Sequence, residues 1–194
     1  MSKDQPIETA IWGKNAPAHG ETPAIALINP KCADNVAKAI RLASCFGLKQ
    51  VWWTGHRVEL DLAGKRRLPR EERMKGYKDV SMIQCDYFFD EFEDATPVAI
   101  EVREESENLF EFEHPKNPIY VFGPEDGSIP KVHSGHCHRF VEIPVRHCLN
   151  LATAVAVVLW DREYKRYLND EIGEIITPGE FEDRGMIESL LGAD

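Results

Sequence analysis

The chain has 194 residues, 43% of them apolar, and a formal net charge of −10. That length fits one domain with a real core, and no uninterrupted apolar run reaches the roughly 20 residues of a membrane-spanning helix. The acidic total argues against non-specific nucleic-acid binding, yet fields are screened beyond about 8 Å at physiological salt, so a local basic patch stays compatible with it.

Residues 1–23 read as an irregular extension, and MSKDQPIETA has no apolar segment of the signal-peptide kind. A first strand is expected over 24–30 (AIALINP). DNVAKAIRLASCFG then reads as a helix, with Asp34 as N-cap and Gly47 as the left-handed residue that ends it. Its apolar face holds Val36, Ile40 and Ala43, widened by Ala39, Leu42 and Phe46. Asp34, Lys38 and Arg41 form the polar stripe. Further strands are expected over 50–55, 97–102, 118–123 and 139–145, all continuous apolar runs of the kind buried on both faces. A last helix is expected from about Asn150 to Leu168, and its first half, LATAVAVVLW, is apolar all round and is expected to be buried, in the core or against a partner subunit. Residues 169–194 hold eight acids and one Arg and read as an acidic tail. Strands alternating with helices predict an α/β fold, a mainly parallel sheet with helices on both faces.

Several signatures are absent. No G-x-G, no G-x-x-x-x-G-K-[ST] and no H-E-x-x-H occurs, which removes the dinucleotide fingerprint, the triphosphate loop and the helical zinc site. His133, His136, Cys137 and His138 crowd into HSGHCHR, but without a second ligand pair nearby, so the segment reads as a solvated connector and no metal is expected. Cys32, Cys45, Cys85, Cys137 and Cys148 are odd in number and scattered, which predicts free thiols in a reducing cytoplasm.

Three strand ends carry Gly, Pro and polar residues: NPKCADNVAKAIR, VFGPEDGSIP and IPVRHCLNLATAVAV. In open parallel sheets ligands bind beyond the carboxyl ends of the strands, and Gly and Pro there expose main-chain N–H and C=O groups. Asn35 and Arg41, Gly123 and Glu125, and Asn150 are the candidate residues. Each has a plainer reading: Arg41 as a surface ion-pair partner, Asn150 as an N-cap, Glu125 as an ordinary acid near a helix start.

Taken together these segments resemble the SpoU-type branch of the SPOUT class, the RNA ribose 2′-O-methyltransferases. Asn35, Arg41, Phe46 and Gly47 match the first motif, with Ala37 where the family has Gly. VFGPEDGSIP is similar to the second, with its second glycine one step early at Gly127. IPVRHCLNLATAVAV matches the third, with Cys148 in place of Ser. The resemblance covers residues 24–168. It implies a C-terminal trefoil knot, a homodimer with the first and last helices at the interface, and bent S-adenosylmethionine held near Ile100, Gly123, Glu125, Ile143, Cys148 and Asn150. It also implies that Arg41, with Asn35 and Asn150, acts on the ribose hydroxyl of a tRNA or rRNA. The short chain, with no obvious further RNA-binding domain, favours tRNA. The substitutions at Ala37 and Cys148 keep open a non-catalytic RNA-binding protein of the same fold.

One stretch stands apart from the acidic background. GKRRLPREERMKGYK (64–78) carries +5. In SpoU-type enzymes this connection commonly meets RNA, so Lys65, Arg66, Arg67, Arg70 and Arg73 are the expected phosphate partners. A solvated charged helix is the other reading. An enzyme on a phosphorylated small molecule is a further alternative, and it predicts no salt-dependent affinity for RNA.

Overall fold

Side chains along each strand alternate between two apolar layers, and this alternation organises the molecule. The computed structural model describes residues 10–12, 19–58 and 80–172. In the strand Ala24–Leu27 (β2), Ile25 and Leu27 enter one core, while Ala24 and Ala26 enter the other. Gln50–Trp53 (β3) does the same, with Val51 and Trp53 against Trp52. Pro118–Phe122 (β7) sends Tyr120 and Phe122 one way and Ile119 and Val121 the other. Strands apolar on both faces are what a covered parallel sheet requires.

Ser81–Gln84 (β4), Thr96–Ile100 (β5), Glu107–Asn108 (β6) and Arg139–Glu142 (β8) complete the parallel set, and Ala10–Trp12 (β1) adds an antiparallel edge. The order across the eight strands is β1-β4-β3-β2-β7-β5-β8-β6. Every pairing except β1 with β4 is parallel. β7 therefore lies between β2 and β5, joining the early strands to the late ones. The expectation of a mainly parallel α/β sheet holds. β1 lies within residues expected to be irregular, and β4 and β6 are strands the sequence reading lacked.

Ala33–Cys45 (α1) packs one face of the sheet through Val36, Ala39, Ile40 and Ala43. It ends as expected. Gly47 takes φ +72°, its N–H bonds to Ser44 O, and the Leu48 N–H reaches back to Ala43 O at 2.8 Å, which is the Schellman arrangement with a buried apolar residue after the glycine. Its start differs. Cys32 occupies the N-cap and Asp34 lies inside the first turn, where its charge still suits the positive end of the helix dipole.

Leu151–Leu168 (α3) shares that face through Leu151, Val155, Val158 and Leu159. LATAVAVVLW is not wholly buried: Thr153 is exposed and Trp160 is 68% exposed. The buried positions recur at helical spacing, so even an all-apolar helix offers only one side to a single sheet. The other sheet face is covered by a 3-10 turn (Phe89–Glu91) with its flanking Phe88 and Phe92, and by the short helix Lys131–Ser134 (α2).

The chain divides into two compact units, residues 1–161 and 162–194. The sheet, α1, α2 and the first turns of α3 belong to the first. The described part of the second is the end of α3 and its following turn, where Arg166 bonds both carboxylate oxygens of Glu163 at 3.0 and 3.1 Å. No helix among the described residues is long and apolar enough to cross a membrane.

Candidate functional site at the carboxyl edge of the sheet

Leu27, Phe122, Ile100 and Val141 stand in register across β2, β7, β5 and β8. At about 4.8 Å between strands, the segments that follow these four ends start within about 15 Å of one another. Those segments are the three polar strand ends singled out in the sequence, together with the end of β5.

Four hydrogen bonds draw three of them into one network. Glu125, just beyond β7, accepts from the main-chain N–H of Lys31 (2.7 Å) and of Cys32 (3.2 Å), and from Asn35 Nδ2 (2.6 Å). Asn35 is 4% exposed, and its Oδ1 accepts from Asn150 Nδ2 at 3.1 Å. Asn150 also caps α3: its Oδ1 accepts from the N–H groups of Ala152 and Thr153 at 3.0 and 3.4 Å. One amide thus reads a neighbour with its nitrogen and a helix end with its oxygen. Burial works to raise the pKa of Glu125, but the hydrogen bonds from Lys31, Asn35 and Cys32 outweigh it and hold the carboxyl below its ordinary value. This contact also accounts for the early start of α1, because a distant carboxylate satisfies donors at the approach to the helix.

The loop from Gly123 to Ile129 is held from two further sides. Ile129 N–H donates to Glu101 Oε1 at 3.1 Å, at the end of β5. Arg57, in the loop after β3, donates from Nη1 and Nη2 to the two oxygens of Asp126, each at 2.8 Å, and Lys31 Nζ lies 3.5 Å from the same carboxylate. Arg57 is the main reason that Asp126 is depressed to about 2. A Cβ on Gly123 would meet Ile129 Cγ1 at 3.2 Å and Ile129 N at 3.4 Å. A side chain there would press on its own loop, and Ile129 would have to give by a few tenths of an ångström.

Of the residues expected to hold a cofactor, Ile100, Gly123 and Ile143 are half-buried at or just past the ends of the neighbouring strands β5, β7 and β8, and Cys148 is exposed in the run 145–148 before Asn150. This edge offers what a nucleoside-like ligand needs: apolar side chains partly open to solvent, and loops of accessible main chain. Arg41 is half-buried on α1. Six residues past Asn35, it lies about 9 Å along the helix and about 120° around it, and so leaves α1 on a different face. Lys65, Arg66, Arg67, Arg70 and Arg73 lie outside the described residues. The histidine segment is not a solvated connector throughout. His133 and Cys137 are buried against the second sheet face, with His133 stacked on Phe88, while His136 and His138 are exposed. A cavity of about 210 Å³, lined by residues such as Thr22, Phe92, Ala95 and Asn117, opens at the other edge, by the strands' amino ends, and contains none of these groups.

Sequence reasoning missed Arg57, Asp126 and Lys31. Arg57 and Asp126 are 69 residues apart, and no local pattern links them.

The family model described as SpoU rRNA Methylase matches residues 23–160. No curated protein matches the chain. Among solved structures, the SpoU methyltransferase AviRb from Streptomyces viridochromogenes, in complex with AdoMet, superposes with a TM-score of 0.64 at 15% identity, over 78% of this chain and 63% of that one. A. aeolicus TrmH/SpoU tRNA modifying enzyme gives 0.64 at 16% identity, over 89% of this chain and 88% of the other. A structure described for 2-OH methylation of C/U34 on tRNA gives 0.60 at 22% identity, over 76% and 96%. The chain spans less than two thirds of the AviRb chain.

Proposed function

Because the chain belongs to the SpoU rRNA Methylase family, we propose that it is an S-adenosylmethionine-dependent methyltransferase of RNA ribose 2′-hydroxyls, with tRNA or rRNA as substrate. The observation that carries this reading is the hydrogen-bonded union of Glu125, Asn35 and Asn150 at the carboxyl edge of the sheet, where a parallel sheet binds its ligands. Solved relatives that carry AdoMet or concern tRNA support it. tRNA is the first substrate to test.

S-adenosylmethionine, when bound, supplies a methyl group on an electrophilic sulfonium. Ile100 and Ile143 would flank its adenosine, and the loops at Gly123 and Cys148 would offer main-chain hydrogen bonds. Asn150 fixes the start of α3 and, through Asn35 and Glu125, holds this loop against α1. Transfer to oxygen needs the reacting atoms held about 3–3.5 Å apart, which favours a site tied together from several elements. Arg41 acts as a fixed cation that favours the anionic form of the hydroxyl. A guanidinium with a pKa above about 12 is a poor proton acceptor. Because Arg41 leaves α1 on a different face from Asn35, we assign it to a site completed in a homodimer, with α1 and α3 at the contact; the 68% exposure of Trp160 supports this. The C-terminal half is taken to be threaded as a trefoil knot, a reading supported by β7 lying between β2 and β5.

The deciding experiment incubates the chain with labelled S-adenosylmethionine and bulk tRNA or rRNA, followed by nucleoside analysis. Label on a ribose is expected, and label on a base overturns the reaction. Calorimetry showing no S-adenosylmethionine binding at millimolar ligand, with salt-dependent RNA binding retained, would instead identify a non-catalytic RNA-binding protein. Arg41→Ala is expected to lower the turnover number about 10²–10³-fold.

A further inference from the structure

Arg57 carries chemistry that the proposed methyl-transfer site leaves unused. A guanidinium has five N–H donors, and the fork to Asp126 takes one from each of Nη1 and Nη2. Among the described residues no partner takes the Nε edge, on a side chain 31% exposed. A guanidinium held end-on by a carboxylate is pre-set in plane and direction, which is the state in which its second edge best grips a phosphate.

The surroundings favour an anion more than the overall charge suggests. Two cations, Arg57 and Lys31, share the single carboxylate of Asp126. The neighbouring Glu125 has its oxygens engaged by three N–H donors. Position adds to this. Strand order at the carboxyl edge runs β3, β2, β7, β5, β8. Arg57 follows β3, Asn35 follows β2 and Glu125 follows β7, while Ile100 and Ile143 mark the β5 and β8 ends. Arg57 therefore stands on the side of the Asn35–Glu125 pair opposite Ile100 and Ile143, so a strand that met it would lie across from the β5 and β8 ends.

We infer that Arg57 is a further contact to an RNA phosphate, with Asp126 as its orienting partner, positioning the strand beside Asn35. This rests on the RNA-methyltransferase reading. A phosphate contact sets register without reading sequence, so its loss weakens binding to every RNA alike.

The test compares Arg57→Gln with Asp126→Asn in the full chain, since both remove the ion pair but only the first removes the cation. Arg57→Gln is expected to raise KM for RNA about tenfold, with kcat and the S-adenosylmethionine Kd changed less than about twofold. It should also reduce the log–log salt slope of RNA binding by about 0.7–0.9. Asp126→Asn should keep the wild-type slope, and Arg57→Lys should keep the slope with an intermediate KM. Equal behaviour of Arg57→Gln and Asp126→Asn, or wild-type RNA binding by Arg57→Gln, overturns the inference and leaves Arg57 as a staple between two loops. A wild-type chain that neither transfers methyl nor binds RNA in a salt-dependent way overturns the broader reading, and this inference with it.

Discussion

Asn35 is a polar side chain placed where an apolar one would be expected, on the sheet-facing side of α1, and its two ends justify the position. The amide donates to Glu125 at 2.6 Å and accepts from Asn150 at 3.1 Å, so no apolar isostere satisfies both neighbours. Asn35→Ala is expected to destabilise the fold by about 1–3 kcal/mol, the cost of leaving partners unpaired, as read by urea denaturation. Asn35→Asp tests the charge directly. Two carboxylates at this distance would each resist ionising, so the variant should lose stability against wild type as pH rises from 5 to 8. Glu125 behaves in the opposite sense. Its folded pKa lies below the ordinary value, so its contribution is fully present above about pH 4.3 and is lost as pH falls through the folded value. Wild type should exceed Glu125→Gln in stability at pH 7, with the gap closing in acid. A gap that stayed constant between pH 7 and pH 3 would mean that the carboxyl gains nothing from its three donors.

At the scale of the element, the two ends of α1 show what a sequence can and cannot announce. The carboxyl end is a local device: Gly47 takes φ +72°, and a Cβ there would meet nothing within 4 Å. Gly47→Ala should therefore cost about 1–2 kcal/mol from backbone conformation alone, and Gly47→Asn less, as a shift in the thermal midpoint. That end was legible because its causes lie within a few residues. The amino end was not, because Glu125, 90 residues from Asn35, supplies the acceptor that brings the helix start forward. Strand recognition follows the same rule. β2, β3, β5, β7 and β8 were readable as apolar runs, whereas β6 is a Glu–Asn pair that is extended only because β8 lies beside it, a tertiary effect that overrides propensity. β4 reads Ser-Met-Ile-Gln, two apolar residues between polar ones, too little to form an apolar run. The candidate site was legible in its parts, as three polar strand ends. Which atom meets which was not, since Arg57 and Asp126 share nothing in sequence beyond complementary charge.

For the whole molecule, the burial of the thiols gives a direct check on the packing of the second sheet face. Cys85 and Cys137 are 3% and 6% exposed, and burial pushes both thiols up to about 12; Cys32, Cys45 and Cys148 are exposed. Native alkylation followed by mass analysis should label the last three and spare the first two until denaturant is added. If S-adenosylmethionine binds as proposed, it should also slow the alkylation of Cys148 in particular. The position of β7 between β2 and β5 has a consequence for how the chain reaches this state. On a ribosome, β2, β3 and β4 emerge together, yet β2 keeps one open flank, and β5 has no partner at all, until Pro118–Phe122 arrives. The plank that joins the two halves is a central one laid late, and the residues just past it carry Glu125. A small molecule resting there would act as a rivet across the seam, so its presence should be felt in amide exchange on both sides of the sheet at once.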